Sequence, residues 1–279
     1  MNKNFNFVFL GTPDVASQTL DILKSNGYLP SLIITSPDKP QGRKMILTPP
    51  PVKTWAEENN VPYLQPEKIN SELIEKLSIF NFELAIVVAY GKILPESFIN
   101  LPKLGTINIH YSLLPKYRGA SPVEAALLNG DTETGISIQQ MEFKLDSGPI
   151  LAEEKIEIEI NDTKETLREK LIKIGGDLLC KIIPDIIEGR IEGKIQNEEN
   201  ATFCKKIKKE HGEIDPDGTA QENWNKYRAY HGWPGVYFFL NDRRIKITKA
   251  KYENDSFIIE RVIPEGKKEV NYSDFLKNN

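Results

Sequence analysis

The sequence predicts an α/β protein, with a parallel sheet and its helices over most of the chain and a small β-rich unit at the end. Three observations predict it. Residues 5–35 read strand, helix, strand, an opening that places two strands side by side and parallel. The run Glu83-Leu84-Ala85-Ile86-Val87-Val88-Ala89 is apolar almost throughout, as in a strand covered on both faces. After a polar stretch at 192–201, short strand patterns separated by turns take over.

Each element follows from local signals. Residues 5–10 form the first strand, and Gly11-Thr12-Pro13-Asp14 opens a helix over 14–25 with Thr12 as its cap. Residues 31–35 form the second strand. This first turn has one glycine and not Gly-x-Gly-x-x-Gly, which argues against a dinucleotide. A long Pro- and Gly-rich loop follows, from Ser36 to Pro51. It carries Lys39, Arg43 and Lys44 beside Met45, Ile46 and Leu47, basic heads next to an apolar wedge. Helices are expected over 52–60 and 69–78, with an edge strand at 61–64 between them. The central strand ends at Tyr90-Gly91, on the carboxyl edge where open α/β sheets place ligands.

The next strand, 105–110, ends on that same edge. Ser121-Pro122 starts a helix that stops at Asn129-Gly130. Residues 135–141 alternate as a half-buried strand, and 150–160 alternate again as its hairpin partner. A helix over 163–188 has Gly175-Gly176 and Pro184 as candidate breaks. Past the polar stretch come a helix at 219–230, a Trp233-Pro234-Gly235 turn, and strands at 236–240, 245–252, 257–263 and 267–270.

Bulk properties exclude several classes. At 39% hydrophobic residues and a mean hydropathy of −0.40, the 279-residue chain is globular and not disordered. No apolar run approaches the ~18–20 residues of a membrane span. The start is too short for a signal peptide, and Cys180 and Cys204 lack metal or redox spacing, so a reducing cytoplasm is expected. Net charge is −4 but uneven: residues from 201 on hold 15 Lys and Arg against 12 Asp and Glu, while 1–200 hold 21 against 28. An acidic body with a mildly basic end is compatible with a polyanion partner, and equally with solvated surface lysines.

The chemistry centres on one strand. Asn108 and His110 are two apart and therefore share a face. Ser112-Leu113-Leu114-Pro115 makes a turn directly after them, and Asp146 stands in an Asp-Ser-Gly turn that can fold back over the sheet edge. Such a set suits acyl transfer without a covalent intermediate: the amide donates to a developing oxyanion, the imidazole carries a proton, and the carboxylate orients the ring. No Gly-x-Ser-x-Gly supplies a nucleophile, and no His, Cys and Asp cluster has metal spacing, so no metal is expected. The other histidines, His211 and His231, read as solvated and structural.

These segments resemble a known family. Asn108-Ile109-His110-Tyr111-Ser112-Leu113-Leu114-Pro115-Lys116-Tyr117-Arg118-Gly119-Ala120 is similar to the core motif of the folate-dependent formyltransferases, and Leu145-Asp146-Ser147-Gly148 to their second motif. Phe9-Leu10-Gly11-Thr12-Pro13 and Val88-Ala89-Tyr90-Gly91 resemble the family's first strand and folate wall. Pro37-Asp38-Lys39-Pro40-Gln41-Gly42-Arg43 resembles the inserted acceptor-stem loop of its tRNA-acting branch. Ala201-Thr202-Phe203-Cys204-Lys205-Lys206-Ile207 and Arg228-Ala229-Tyr230-His231-Gly232-Trp233-Pro234-Gly235 resemble that branch's linker and C-terminal start. The resemblance reaches to about residue 250.

It implies a Rossmann-like catalytic domain over 1–190, a linker over 191–204, and a reduced OB-like domain over 205–279, shorter than the family's barrel. It implies that Asn108, His110 and Asp146 are catalytic. Ser112, Leu113, Leu114 and Pro115, with Val88 and Tyr90, would bind 10-formyltetrahydrofolate, the formyl donor. Lys39, Arg43 and Lys44 would bind the initiator methionyl-tRNA that receives the formyl group in translation initiation. The chain is expected to act as a monomer without a membrane. The same motifs also fit a formyltransferase for an amino sugar nucleotide, which has no need of the loop around Arg43, and an inactive RNA-binding relative.

Overall fold

The computed structural model describes residues 5–42 and 44–277. Its elements run β1 (Phe7–Gly11), α1 (Asp14–Ser25), β2 (Leu32–Ile34), β3 (Lys39–Gln41), β4 (Ile46–Thr48), α2 (Pro51–Glu58), β5 (Tyr63–Leu64), α3 (Ser71–Ser78), β6 (Leu84–Val88) and α4 (Glu96–Ile99). Then come β7 (Thr106–His110), β8 (Arg118–Gly119), α5 (Pro122–Leu128), β9 (Glu133–Gln140), β10 (Ile150–Glu157) and α6 (Lys164–Ile187). The remainder is β11 (Phe203–Cys204), α7 (Ala220–Ala229), β12 (Val236–Leu240), β13 (Arg243–Glu253), β14 (Ser256–Pro264), β15 (Val270–Asn271) and α8 (Tyr272–Lys277). Two compact units emerge: one from Met1–Arg118, Gly135–Lys155 and Lys170–Ala201, the other from Gly119–Thr134, Ile156–Glu169 and Thr202–Asn279.

The first unit is built on a seven-stranded sheet in the order β10-β9-β7-β6-β1-β2-β5. β1 pairs in parallel with β2 and β6, β2 with β5, and β6 with β7, while β9 runs antiparallel to β7. β1 and β6 are buried at every residue, as their unbroken apolar runs predict. Val8, Leu10, Ala85 and Val87 pack on one face with Leu77 and Phe98. The other face receives α6, which Gly175-Gly176 and Pro184 do not break. A methyl group on Gly176 would lie 2.6 Å from Ile22 of α1, and one on Gly175 3.3 Å from Ile109 of β7. The glycines therefore serve close packing of the helix and not a kink.

Two details of this unit depart from expectation. Thr12 does not cap α1; Pro13 holds that position, and Thr12 Oγ1 donates to the Tyr90 carbonyl at 3.0 Å, with Ser36 Oγ at 3.1 Å. The hydroxyl is taken by acceptors at the sheet edge, where it ties the segments after β1, β2 and β6 together. The loop after Ser36 is also not irregular. It folds as a β3–β4 hairpin with Lys39 opposite Thr48 and Gln41 opposite Ile46. Its root is fixed at Asp38, which accepts from Gln65 Nε2 and Lys53 Nζ, both at 2.7 Å; these bonds hold the Asp38 carboxyl below the usual carboxylate range.

In the second unit β12, β13, β14 and β15 form an antiparallel meander in that order. Helix α7 is capped by Thr219, which accepts from the Glu222 N–H. Trp224 of α7 stacks on Tyr227 and Tyr252 at centroid distances of 5.4 and 6.0 Å. Of the strand expected at 267–270, only Val270 pairs, with Asn271 after it, because Gly266 (φ 71°) makes a turn first. α8 then follows, with Phe275 buried. No helix among the described residues is long and apolar enough to cross a membrane.

Candidate active site

β7 and β9 place Asn108 opposite Gln139 and His110 opposite Ser137. Residues directly opposite share a face, and so do residues two apart, so all four side chains stand together. Ser137 and Gln139 are buried, although the alternation of β9 reads as a strand with one polar, solvated side. That side is polar because it bonds the turn after β7 and the turn that carries Asp146.

His110 is buried, and its Nε2 lies 2.9 Å from the Tyr117 carbonyl. A carbonyl only accepts, so Nε2 carries the hydrogen and Nδ1 of the neutral ring carries the lone pair. Nδ1 faces Asp146 Oδ2 at 3.8 Å. Asp146 adopts left-handed backbone (φ 47°) in the turn between β9 and β10, and Gln139 Nε2 donates to its other carboxylate oxygen, Oδ1, at 3.0 Å. Asn108 is half-buried, and its amide has no hydrogen-bond partner among the described residues. A strand amide left uncommitted beside a histidine–carboxylate pair is a donor waiting for an acceptor.

The turn after β7 is pinned from within and from β9. Ser112 Oγ donates to the Lys116 carbonyl at 2.6 Å, and Lys116 N–H to the Leu113 carbonyl at 3.0 Å. Leu114 N–H donates to Ser137 Oγ at 2.9 Å, and that hydroxyl donates to the Ser112 carbonyl at 2.8 Å. Leu113 and Pro115 stay half-buried. Val88 ends β6 fully buried, and Ala89 (φ 47°) and Gly91 (φ 77°) turn the chain at the sheet edge. The Tyr90 ring goes into the core with Leu94 and Phe98, and burial pushes its phenol up to about 12. At Tyr90, then, the backbone stands at the edge and the side chain does not.

Lys39 and Lys44 are exposed on the β3–β4 hairpin, where Met45, Ile46 and Leu47 are exposed as well. Arg43 lies outside the described residues.

Two family models match the chain: formyl transferase over residues 4–183, and the formyl transferase C-terminal domain over 206–258. A methionyl-tRNA formyltransferase of Sulfurihydrogenibium is 43% identical over 246 residues, covering 88% of this chain and 79% of its own. One of Halalkalibacterium halodurans is 42% identical over 245 residues, covering 88% and 77%. The chain belongs to the formyltransferase family, in its methionyl-tRNA branch. Among solved structures, an N-formyltransferase from Helicobacter canadensis, in complex with folinic acid and dTDP-3-aminofucose, superposes with a TM-score of 0.67 at 21% identity, over 89% of each chain. A methionyl-tRNA formyltransferase from Clostridium thermocellum superposes with 0.60 at 18% identity, over 96% of this chain and 99% of its own. At these identities the superpositions speak for the fold alone.

As a formyltransferase the chain is an enzyme, and four residues around its site escape motif reading. Ser137 and Gln139 are visible only as polar residues in an alternating strand. Gln196 stands in the stretch read as linker, yet it is buried in the first unit. Arg118 lies inside the core motif and is fully buried. The signal that finds them is the accounting of hydrogen bonds around Asp146.

The Asp146 turn also depends on Gly148. A methyl group there would lie 1.8 Å from the Gln140 carbonyl oxygen. Gly148→Ala is expected to destabilise by about 1–3 kcal/mol, as overpacking does, and to lower Tm by about 2–4 °C per kcal/mol. Thermal unfolding read beside formyl-transfer rate checks this, and an unchanged Tm would contradict the close approach.

Proposed function

We propose that the chain transfers the formyl group of 10-formyltetrahydrofolate to the amino group of methionyl initiator tRNA, in translation initiation, acting as a monomer in the cytoplasm. The observation that carries this reading is the uncommitted Asn108 amide on the same sheet face as His110, whose Nδ1 faces Asp146. The co-substrate supplies a carbonyl carbon attached to a nitrogen leaving group. The turn at 112–116 and the backbone of 88–91 are the surfaces that would hold it. Asn108 Nδ2 donates to the formyl oxygen as negative charge develops there. His110 takes a proton from the attacking methionyl amine at Nδ1, Asp146 stabilises the resulting imidazolium, and the ring returns the proton to the folate nitrogen as the oxyanion collapses and the bond from that nitrogen to the formyl carbon breaks, releasing tetrahydrofolate.

The β3–β4 hairpin favours a nucleic acid over a small amino sugar. Lys39 and Lys44, with Arg43 between them in sequence, set positive charge beside apolar Met45, Ile46 and Leu47, a pairing that fits a phosphate backbone and its terminal bases. The basic balance of the C-terminal residues supports further salt-sensitive backbone contact. The test is formyl transfer to charged initiator tRNA beside a free amine and an amino sugar nucleotide. With tRNA, Arg43→Ala is expected to lower kcat/KM about 10- to 100-fold, the value of one charge-assisted hydrogen bond. With the free amine it is expected to change little. An equal rate with tRNA for variant and wild type rejects the hairpin assignment, and a preference for the sugar nucleotide rejects the tRNA reading.

A further inference from the structure

Asp146 is held by more than Gln139. Gln196 Nε2 donates to the Asp146 carbonyl at 2.9 Å and to the Gly148 carbonyl at 2.7 Å. Gln196 Oε1 in turn accepts from Arg118 Nε at 3.0 Å and Nη2 at 2.7 Å. Arg118 Nη2 also reaches Glu198 Oε1 at 2.8 Å, and Glu198 Oε2 accepts from Lys144 Nζ at 2.6 Å. Three alternate positions of the turn, Lys144, Asp146 and Gly148, are thus tied to residues 196 and 198. All of these groups lie in the first unit.

We propose that Arg118 and Gln196 are positioning residues that set the Asp146 carboxylate against His110 by clamping the backbone of its turn. The inference rests on the role given to Asp146 above. A guanidinium has five N–H donors and no acceptor, so it admits the Gln196 amide in one orientation only, with Oε1 toward it. Both Gln196 N–H bonds are then aimed at the turn. Arg118 is 0% exposed and its Nη1 has no hydrogen-bond partner among the described residues. Burying a guanidinium with an orphaned nitrogen is a poor way to gain stability, since an apolar side chain of similar volume avoids the desolvation. Its bonds go to the Gln196 amide and the Glu198 carboxylate, the two groups that hold the turn, and that directional grip is the use that the geometry supports. The two bonds fall on the carbonyls of Asp146, at φ 47°, and Gly148, so they fix the turn from which the carboxylate projects.

The experiment uses the full chain and single-turnover formyl transfer to charged initiator tRNA. Gln196→Met removes both donors at nearly constant volume. Its rate is expected to fall about 30- to 100-fold, as for a misplaced catalytic group, while KM for each substrate moves less than about twofold. Gln196→Glu keeps an acceptor for Arg118 and adds an opposite charge, but has no N–H to offer. It is expected to show the same rate loss; the ion pair to Arg118 offsets only part of the two lost bonds, so an unchanged circular dichroism spectrum and unchanged tRNA binding separate positioning from folding. In an Asp146→Ala background, Gln196→Met is expected to change the rate less than about threefold, because no carboxylate remains to be positioned. Rates within about threefold of wild type for Gln196→Glu, or a loss of the same size with and without Asp146, overturn the proposal. The role of Asp146 itself fails in a different place: Asp146→Ala would then turn over like wild type, and the clamp would have nothing catalytic to hold.

Discussion

His110→Ala is expected to lower kcat for formyl transfer by about 10²–10⁴, the range of a positioned proton carrier, while charged tRNA still binds. The size follows from how the ring is held. Nε2 is committed to the Tyr117 carbonyl, so the ring cannot rotate to present that nitrogen, and the only basic position is Nδ1. Nδ1 opens toward Asp146 at 3.8 Å, so a proton arriving there meets a carboxylate that stabilises the charged ring. Removing the ring also removes its bond to the Tyr117 carbonyl, at a stability cost of about 0.5–1.5 kcal/mol. Circular dichroism and a tRNA-binding measurement separate that loss from the chemical one. A folded variant that binds tRNA and transfers formyl groups within tenfold of wild type would place the proton carrier elsewhere. The same measurement divides an enzyme from an inactive RNA-binding relative.

The sheet is far more legible in the sequence than its edge. β1 and β6 are legible because burial on both faces demands continuous apolar runs, and five residues in a row satisfy that without ambiguity. Asn108 and His110 are legible because an amide and an imidazole on one face of such a strand have no packing purpose. Ser137 and Gln139 are not, because period-two alternation records which residues share a side and cannot say whether water or protein covers that side. Gly175-Gly176 misleads in the opposite sense: in one dimension it is a helix breaker, while against Ile22 and Ile109 it is the condition for contact. The β3–β4 hairpin hides behind prolines that usually mark irregular chain; exposed at every residue of β3, it needs only the pairing of three residues on each side. Gln196 and Arg118 are the hardest, 78 residues apart and joined by geometry alone.

Asn108→Ala should cost about 10²–10³ in kcat, or roughly 2.7–4 kcal/mol, with little change in KM, because an oxyanion donor acts mainly in the transition state. Asn108 differs from every other polar group on its sheet face. Gln139 is bonded to Asp146, Ser137 to the 112–114 turn, and His110 to Tyr117, while the Asn108 amide is bonded to nothing described. Its removal therefore breaks no internal bond, and Asn108→Ala should unfold within about 0.5 kcal/mol of wild type, as substitutions without lost contacts do. A rate loss without a stability loss is the signature that separates this donor from a structural amide. Asn108→Asp sharpens the test. It keeps the shape but turns a carboxylate oxygen toward the place where negative charge develops, so it should be slower than Asn108→Ala. If the aspartate variant is as fast as wild type, the formyl oxygen is not stabilised from β7, and the donor must come from the backbone of the turn that follows.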